Sequence, residues 1–153
     1  MKSIQAIVDA HETITVQTLT PVRDAARLMA ERQIGAVPVL DGDRLAGIFT
    51  ERDVMARIVA PGLDPSATPV RDVMSTDLVV ASPKDDTDTC LRRMQQARVR
   101  HLVVLRDGRL AGIVSLRDLM AVEMNEKDDA ITLLNAYVHD IPAHLPVRAS
   151  NPI

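Results

Sequence analysis

The stretch Arg44-Leu45-Ala46-Gly47-Ile48-Phe49-Thr50-Glu51-Arg52-Asp53 returns 65 residues later as Arg109-Leu110-Ala111-Gly112-Ile113-Val114-Ser115-Leu116-Arg117-Asp118. In that register Val39 to Met55 matches the later copy at 10 of 17 positions, far above chance, so the chain carries an internal repeat. Each copy is a short apolar run with a glycine where a side chain would obstruct a close approach, followed by Thr50 or Ser115 and, three residues on, an aspartate. Ser/Thr-x-x-Asp is a helix start in which the hydroxyl accepts from an orphan backbone N–H. One reading ends with that cap. A second notes that a strand running into a helix N-terminus aims unpaired N–H groups and positive dipole at an anion above it. A hydroxyl and a carboxylate beside that point suit a phosphate and a ribose diol, and the equal duplication favours this second reading.

Gly-h-h-Thr/Ser-x-x-Asp, with h apolar, preceded by Ala36-Val37-Pro38-Val39 and repeated in tandem, resembles the cystathionine-β-synthase (CBS) domain pair, or Bateman module. The resemblance extends to about Met124.

Composition narrows the alternatives. A half of this 153-residue chain has little surface to bury alone, so the halves should share a core. Phe49 and Tyr137 are the only aromatics, which leaves Val, Leu, Ile, Ala and seven Met to fill that core. Stacking platforms for single-stranded nucleic acid are therefore missing. A net charge of −3 with interspersed signs gives no basic field, and nucleic acid is not expected as the main partner. Cys90, the single cysteine, aligns with Ala25 and reads as a small buried helix residue, with a reactive thiol as the alternative. His11, His101, His139 and His144 lack metal-ligand spacing, so no metal is expected. With no leader and no apolar run of about 20 residues, the expectation is a cytoplasmic protein without a membrane span.

Residues 1–68 read as the first repeat, 69–124 as the second, and 125–153 as a C-terminal helix and tail. Thr13 to Val16 alternates as a strand, and Thr20 is expected to cap a helix from Pro21 to Arg32. Val37 to Leu40 and Arg44 to Phe49 form a hairpin around Asp41-Gly42-Asp43, and Glu51 to Val59 a second helix. Pro38 cannot donate to a ladder and points to an edge or a bulge, where unpaired backbone is free for a ligand's base. The second copy repeats the plan with a strand at Leu78 to Ala81, helices at Asp86 to Ala97 and Leu116 to Met124, and a hairpin around Asp107-Gly108. Val70 to Met74, and a degenerate Gln5 to Asp9, read as lead-in segments. Ile131, Leu134 and Val138 lie at helical spacing, with Pro142 and Pro146 beyond them.

The fold class is thus α/β (α+β): two β-α-β-β-α repeats about a pseudo-twofold axis, plus a C-terminal helix. The resemblance implies two clefts for adenosine-containing ligands such as AMP, ADP, ATP, NAD or S-adenosylmethionine, as regulatory ligands, with no cofactor required. By the same resemblance Asp53 and Asp118 accept from ribose hydroxyls, Thr50 and Ser115 meet ribose or phosphate, and Arg52 and Arg117 meet phosphate. Backbone around Ala36, Val37 and Pro38, and around His101, Leu102 and Val103, lines the base. Arg100 and His101 stand where the first repeat has Gly35 and Ala36, and a basic pair there reaches phosphate in the family; solvated charges at a helix exit are the alternative.

No nucleophile–base pair or paired carboxylates can be defended from spacing, so the chain reads as a sensor and not an enzyme. Its output would pass through an unknown protein target or through a homodimer, with Val54, Ile58, Leu119 and Met120 as the contact face. The rival reading keeps the fold as a dimerisation or protein-interaction scaffold with vestigial clefts.

Overall fold

A computed structural model describes residues 3–126, so the helix read at Ile131 to Val138 and the tail lie outside the described residues. The elements are α1 (Gln5–Ala10), β1 (Val16–Gln17), α2 (Val22–Arg32), β2 (Ala36–Asp41), β3 (Arg44–Thr50), α3 (Glu51–Asp53), β4 (Val80–Ala81), α4 (Thr87–Ala97), β5 (His101–Arg106), β6 (Arg109–Ser115) and α5 (Leu116–Glu126). Residues up to Leu119 belong to one compact unit, and Met120 opens a second.

Two three-stranded sheets, ordered β1-β2-β3 and β4-β5-β6, repeat each other nearly residue for residue. Ala36 pairs with Thr50 as His101 pairs with Ser115, and each hairpin carries a register shift, after Val39 and after Val104. Helices α2 and α4 both end on a left-handed residue, Gln33 at φ 54° and Arg98 at φ 55°. The expected strand, helix, strand, strand, helix order holds in both halves.

Several boundaries differ from expectation. The first strand of each repeat is only two residues long, because parallel pairing reaches β2 and β5 at two positions each. Thr20 does not cap α2. Pro21 takes the extended cap position, and Thr20 Oγ1 accepts from Gln17 N at 3.2 Å, closing the turn before it. Beyond α3 the chain widens into a π-helix, Val54–Val59, and the lead-in Val70–Asp72 is a single 3-10 turn.

Pro38 sits in the central strand of its sheet, not at an edge. It is tolerated because Ile48 opposite turns its N–H and C=O away from β2 to Ser75, at 2.9 and 2.8 Å, so the pair shares no hydrogen bond. On its other side β1 has not yet begun pairing, and the bulge follows one residue later. In the second repeat Val103 N, the matching position, donates to Val79 O at 3.2 Å and is not free for a base.

Each repeat's lead-in is laid on the other repeat. Gly47 lets the segment before β4 cross β3: a Cβ there would stand 2.7 Å from Ser75 O and 2.8 Å from Met74 Sδ. On the other side Val8 of α1 packs over Gly112, and Thr13 Oγ1 donates to Ala111 O at 3.4 Å. A core around Val16, Val22, Met29, Val37, Phe49 and Ile58 fills the first repeat. Ala36, Ile48 and Val103 form another with Leu78 and Ile113 from the second, so the halves share a core as their size demands. Cys90 is fully buried, and burial pushes its thiol up to about 11, which removes the thiolate a reactive cysteine needs.

The expected contact face is largely interior. Ile58 and Leu119 are buried and Val54 packs on the first core, because the face of each second helix that carries them turns inward. Met55, Val59 and, from the expected face, Met120 are the exposed large apolar residues of those segments.

Candidate functional site

Both motifs build the same local device. Thr50 Oγ1 accepts from Asp53 N at 3.2 Å while Asp53 Oδ2 accepts from Thr50 N at 3.0 Å, a complete capping box. Ser115 Oγ accepts from Asp118 N at 3.1 Å, and Asp118 Oδ2 from Ser115 N at 2.9 Å. The cap reading is therefore realised at both places, and what separates the two copies is the rest of each carboxylate.

Asp53 is 4 % exposed, and the chain places further donors and a guanidinium around its carboxylate. Ser75 Oγ donates to Oδ1 at 3.0 Å and lies 3.3 Å from Oδ2, Thr50 Oγ1 donates to Oδ2 at 3.1 Å, and Arg57 Nε stands 3.7 Å from Oδ1. Arg57 also donates to Val73 O and Met74 O, at 3.2 and 2.9 Å. Asp118 is half-buried, and among the described residues its Oδ1 meets no donor.

Neither Ser75 nor Arg57 was singled out from the sequence, although both leave a trace there. In the 65-residue register Ser75 matches Ala10, and Arg57, four residues after Asp53, matches Val122. The second copy lacks both partners.

Around the second motif Arg100 and Arg117 are exposed and His101 is half-buried, whereas Leu102 and Val103 are buried and belong to the core. Ala36, Val37 and Pro38 are likewise buried, and Arg52 points to solvent. His101 reaches across to the first repeat, where a methyl group on Gly35 would lie 3.4 Å from its Cε1 and 3.3 Å from the Glu51 carboxylate. Glu51 is a further residue that the sequence reading passed over; Leu116 holds the matching place. Desolvation lowers the His101 pKa below its ordinary 6.5, with Arg100 adding to the effect and Glu51 and Asp118 opposing it.

That lowering has a consequence for stability. Above pH 6.5 the group is neutral folded or unfolded and contributes nothing, whereas below it the unfolded chain takes up the proton more readily. Stability should therefore fall as pH drops through 6.5 toward the lower folded value, and His101→Gln should flatten that part of the profile. Urea midpoints of both proteins between about pH 7.5 and 5 test it; parallel profiles would refute the assignment.

A hollow lies elsewhere, at the β5–β6 turn, lined by Arg106, Asp107, Arg109, Leu110 and Ala111, at the end of β6 opposite Ser115. It has no part in either motif. Among the described residues no cluster of His, Cys, Asp and Glu could hold a metal ion, and no helix is long and apolar enough to cross a membrane.

The sequence model of the CBS domain matches residues 7–60 and again residues 70–125. The chain belongs to the CBS-domain family. It is 36% identical over 126 residues to CBS domain-containing protein YhcV of Bacillus subtilis, spanning 80% of this chain and 89% of that one. A CBS-domain protein of Burkholderia ambifaria superposes with a TM-score of 0.78 at 36% identity, over 82% of this chain and 96% of its own. Two more distant structures share the CBS fold. The CBS domain pair of MJ0100, in complex with 5′-methylthioadenosine and S-adenosyl-L-methionine, has a TM-score of 0.74 at 21% identity over 83% of this chain and 99% of that one. PAE2072 from Pyrobaculum aerophilum, complexed with AMP, has 0.63 at 23% over 72% and 87%.

Proposed function

We propose that this CBS pair is a regulatory module that binds an adenosine-containing ligand and passes the signal to a partner protein or through self-association, without catalysing a reaction. The observation that carries this reading is Asp118, which is held at a helix start by Ser115 and has a carboxylate oxygen with no donor among the described residues. A ribose diol supplies the donors that such an oxygen lacks, and hydrogen bonds to a charged acceptor are worth about 1.5 to 3 kcal/mol each. CBS proteins of the same fold hold AMP, 5′-methylthioadenosine or S-adenosylmethionine, which supports the ligand class. Asp53 and Asp118 serve this reading as structural and binding carboxylates, with no partner arranged for general-base work. Self-association would use a face that includes Met55 and Val59, both exposed on the same π-helical turn.

The experiment is thermal unfolding of the full chain with AMP, ADP, ATP, NAD and S-adenosylmethionine. A ligand at 100 times its Kd stabilises the fold by about 2.7 kcal/mol, and no shift with any of them would favour a scaffold whose clefts bind nothing. Arg100, exposed one residue before β5, should add affinity for longer phosphate chains. Arg100→Ala is expected to weaken ATP more than AMP, by at most about fivefold, since an exposed ion pair contributes about 0 to 1 kcal/mol. Calorimetric titration of both nucleotides checks it; equal losses, or none, would make Arg100 a solvated charge.

A further inference from the structure

The two motifs are equal in sequence and unequal in what their carboxylates have left to offer. An ionised carboxylate has about four acceptor positions. At Asp53 the chain itself supplies hydrogen bonds from Thr50 N, Thr50 Oγ1 and Ser75 Oγ, with the Arg57 guanidinium 3.7 Å away as an ion pair, and the residue is 4 % exposed. Ser75 cannot easily withdraw. Its backbone N and O are both paired with Ile48, at 2.8 and 2.9 Å, and Gly47 beside it leaves no slack. Arg57 is anchored in turn on Val73 O and Met74 O. Asp53, Ser75 and Arg57 thus close on one another and fasten the segment between the repeats to β3. At the second motif the register supplies Ala10 and Val122 in place of Ser75 and Arg57, neither of which carries a side-chain donor.

We infer that the chain binds one adenosine-type ligand, at Asp118, and that Asp53 is an internal clamp holding the inter-repeat segment and takes no ligand. The one-site half rests on the proposed function; the clamp does not. A ligand diol arriving at Asp53 would have to displace a hydroxyl already held in place, so the bond it made there would replace one instead of adding one. At Asp118 the diol meets an oxygen that accepts from no donor among the described residues.

Two measurements on the full chain separate the halves. In calorimetric titration with AMP, and separately with S-adenosylmethionine, about one equivalent per chain is expected to bind, and Asp118→Asn should weaken it at least about tenfold. Two equivalents, or one that survives Asp118→Asn, would overturn the single-site assignment. Binding of neither probe would overturn the one-site half, and no thermal shift with ADP, ATP or NAD either would overturn the proposed function with it. The clamp is read without ligand, by thermal unfolding of Asp53→Asn, Ser75→Ala and the double variant. Because both residues make one interaction, the double should lose clearly less than the sum of the singles. Additive losses, or no loss in either single variant, would overturn the clamp whatever the titration gives.

Discussion

Phe49→Ala should destabilise the protein by about 3 to 5 kcal/mol, the range for removing a large buried side chain and leaving a cavity. Phe49 is fully buried, faces Val37 across the hairpin, and stands among Val16, Val22, Met29, Ile58 and Val70. It is the sole phenylalanine, and its neighbours are aliphatic residues already in contact, so little nearby can swing in to fill the space. A loss of that size is a large fraction of the roughly 5 to 15 kcal/mol a domain has in hand. Urea unfolding followed by far-ultraviolet circular dichroism is the measurement, since the chain has no tryptophan. Phe49→Leu should cost much less. A Phe49→Ala loss below about 1 kcal/mol would mean that the first repeat repacks freely, which native packing density argues against.

The second large effect is expected at Gly47. An added methyl would meet Ser75 O at 2.7 Å and Met74 Sδ at 2.8 Å. The sulfur can move; the carbonyl cannot without breaking its bond from Ile48 N and disturbing the Ser75 hydroxyl on Asp53. Gly47→Ala should therefore cost about 1 to 3 kcal/mol by overpacking, near the upper end because the obstacle is backbone. Gly112→Ala is the internal control. Its nearest neighbour is Val8 Cγ1 at 3.1 Å, the end of a side chain on α1, so its penalty should be clearly smaller. Equal penalties in urea unfolding would show that the two crossings are held alike, and that the paired backbone at Ser75 adds no rigidity.

These two positions also mark where the sequence is eloquent and where it stops. The duplicated Arg-Leu-Ala-Gly-Ile run was enough to establish the repeat, the family resemblance, the hairpins and the Ser/Thr-x-x-Asp helix starts. Strand alternation, turn glycines and capping hydroxyls are local physics, acting over a few residues. The lengths of β1 and β4 were not legible in this way, because a parallel strand exists only as far as its partner reaches. Pro38 is ambiguous for a related reason: a missing N–H says that one hydrogen bond is absent, and it stands beside a bulge in a central strand and not at an edge. Thr20 does not cap α2 because it has another turn to close, and a hydroxyl serves whichever orphan group lies nearer.

The candidate site divides along the same line. The cap, the carboxylate and the arginines at each motif were visible as residue types at fixed spacing. Which of the two aspartates is available was not visible, although Ala10 against Ser75 and Val122 against Arg57 were there to be compared. Ser75 is 22 residues from Asp53, and only the crossing of the inter-repeat segment over Gly47 brings its hydroxyl to the carboxylate. Likewise His101 and Glu51 are drawn together over Gly35 by the packing of one repeat on the other. By itself, then, the sequence determined the repeat, its fold and the chemistry of its two motifs, because hydrogen bonds within a few residues depend on little else. The tertiary structure alone decided that one carboxylate is spent inside the fold while the other keeps an oxygen with no donor among the described residues, because the donors that distinguish them come from segments distant in the chain.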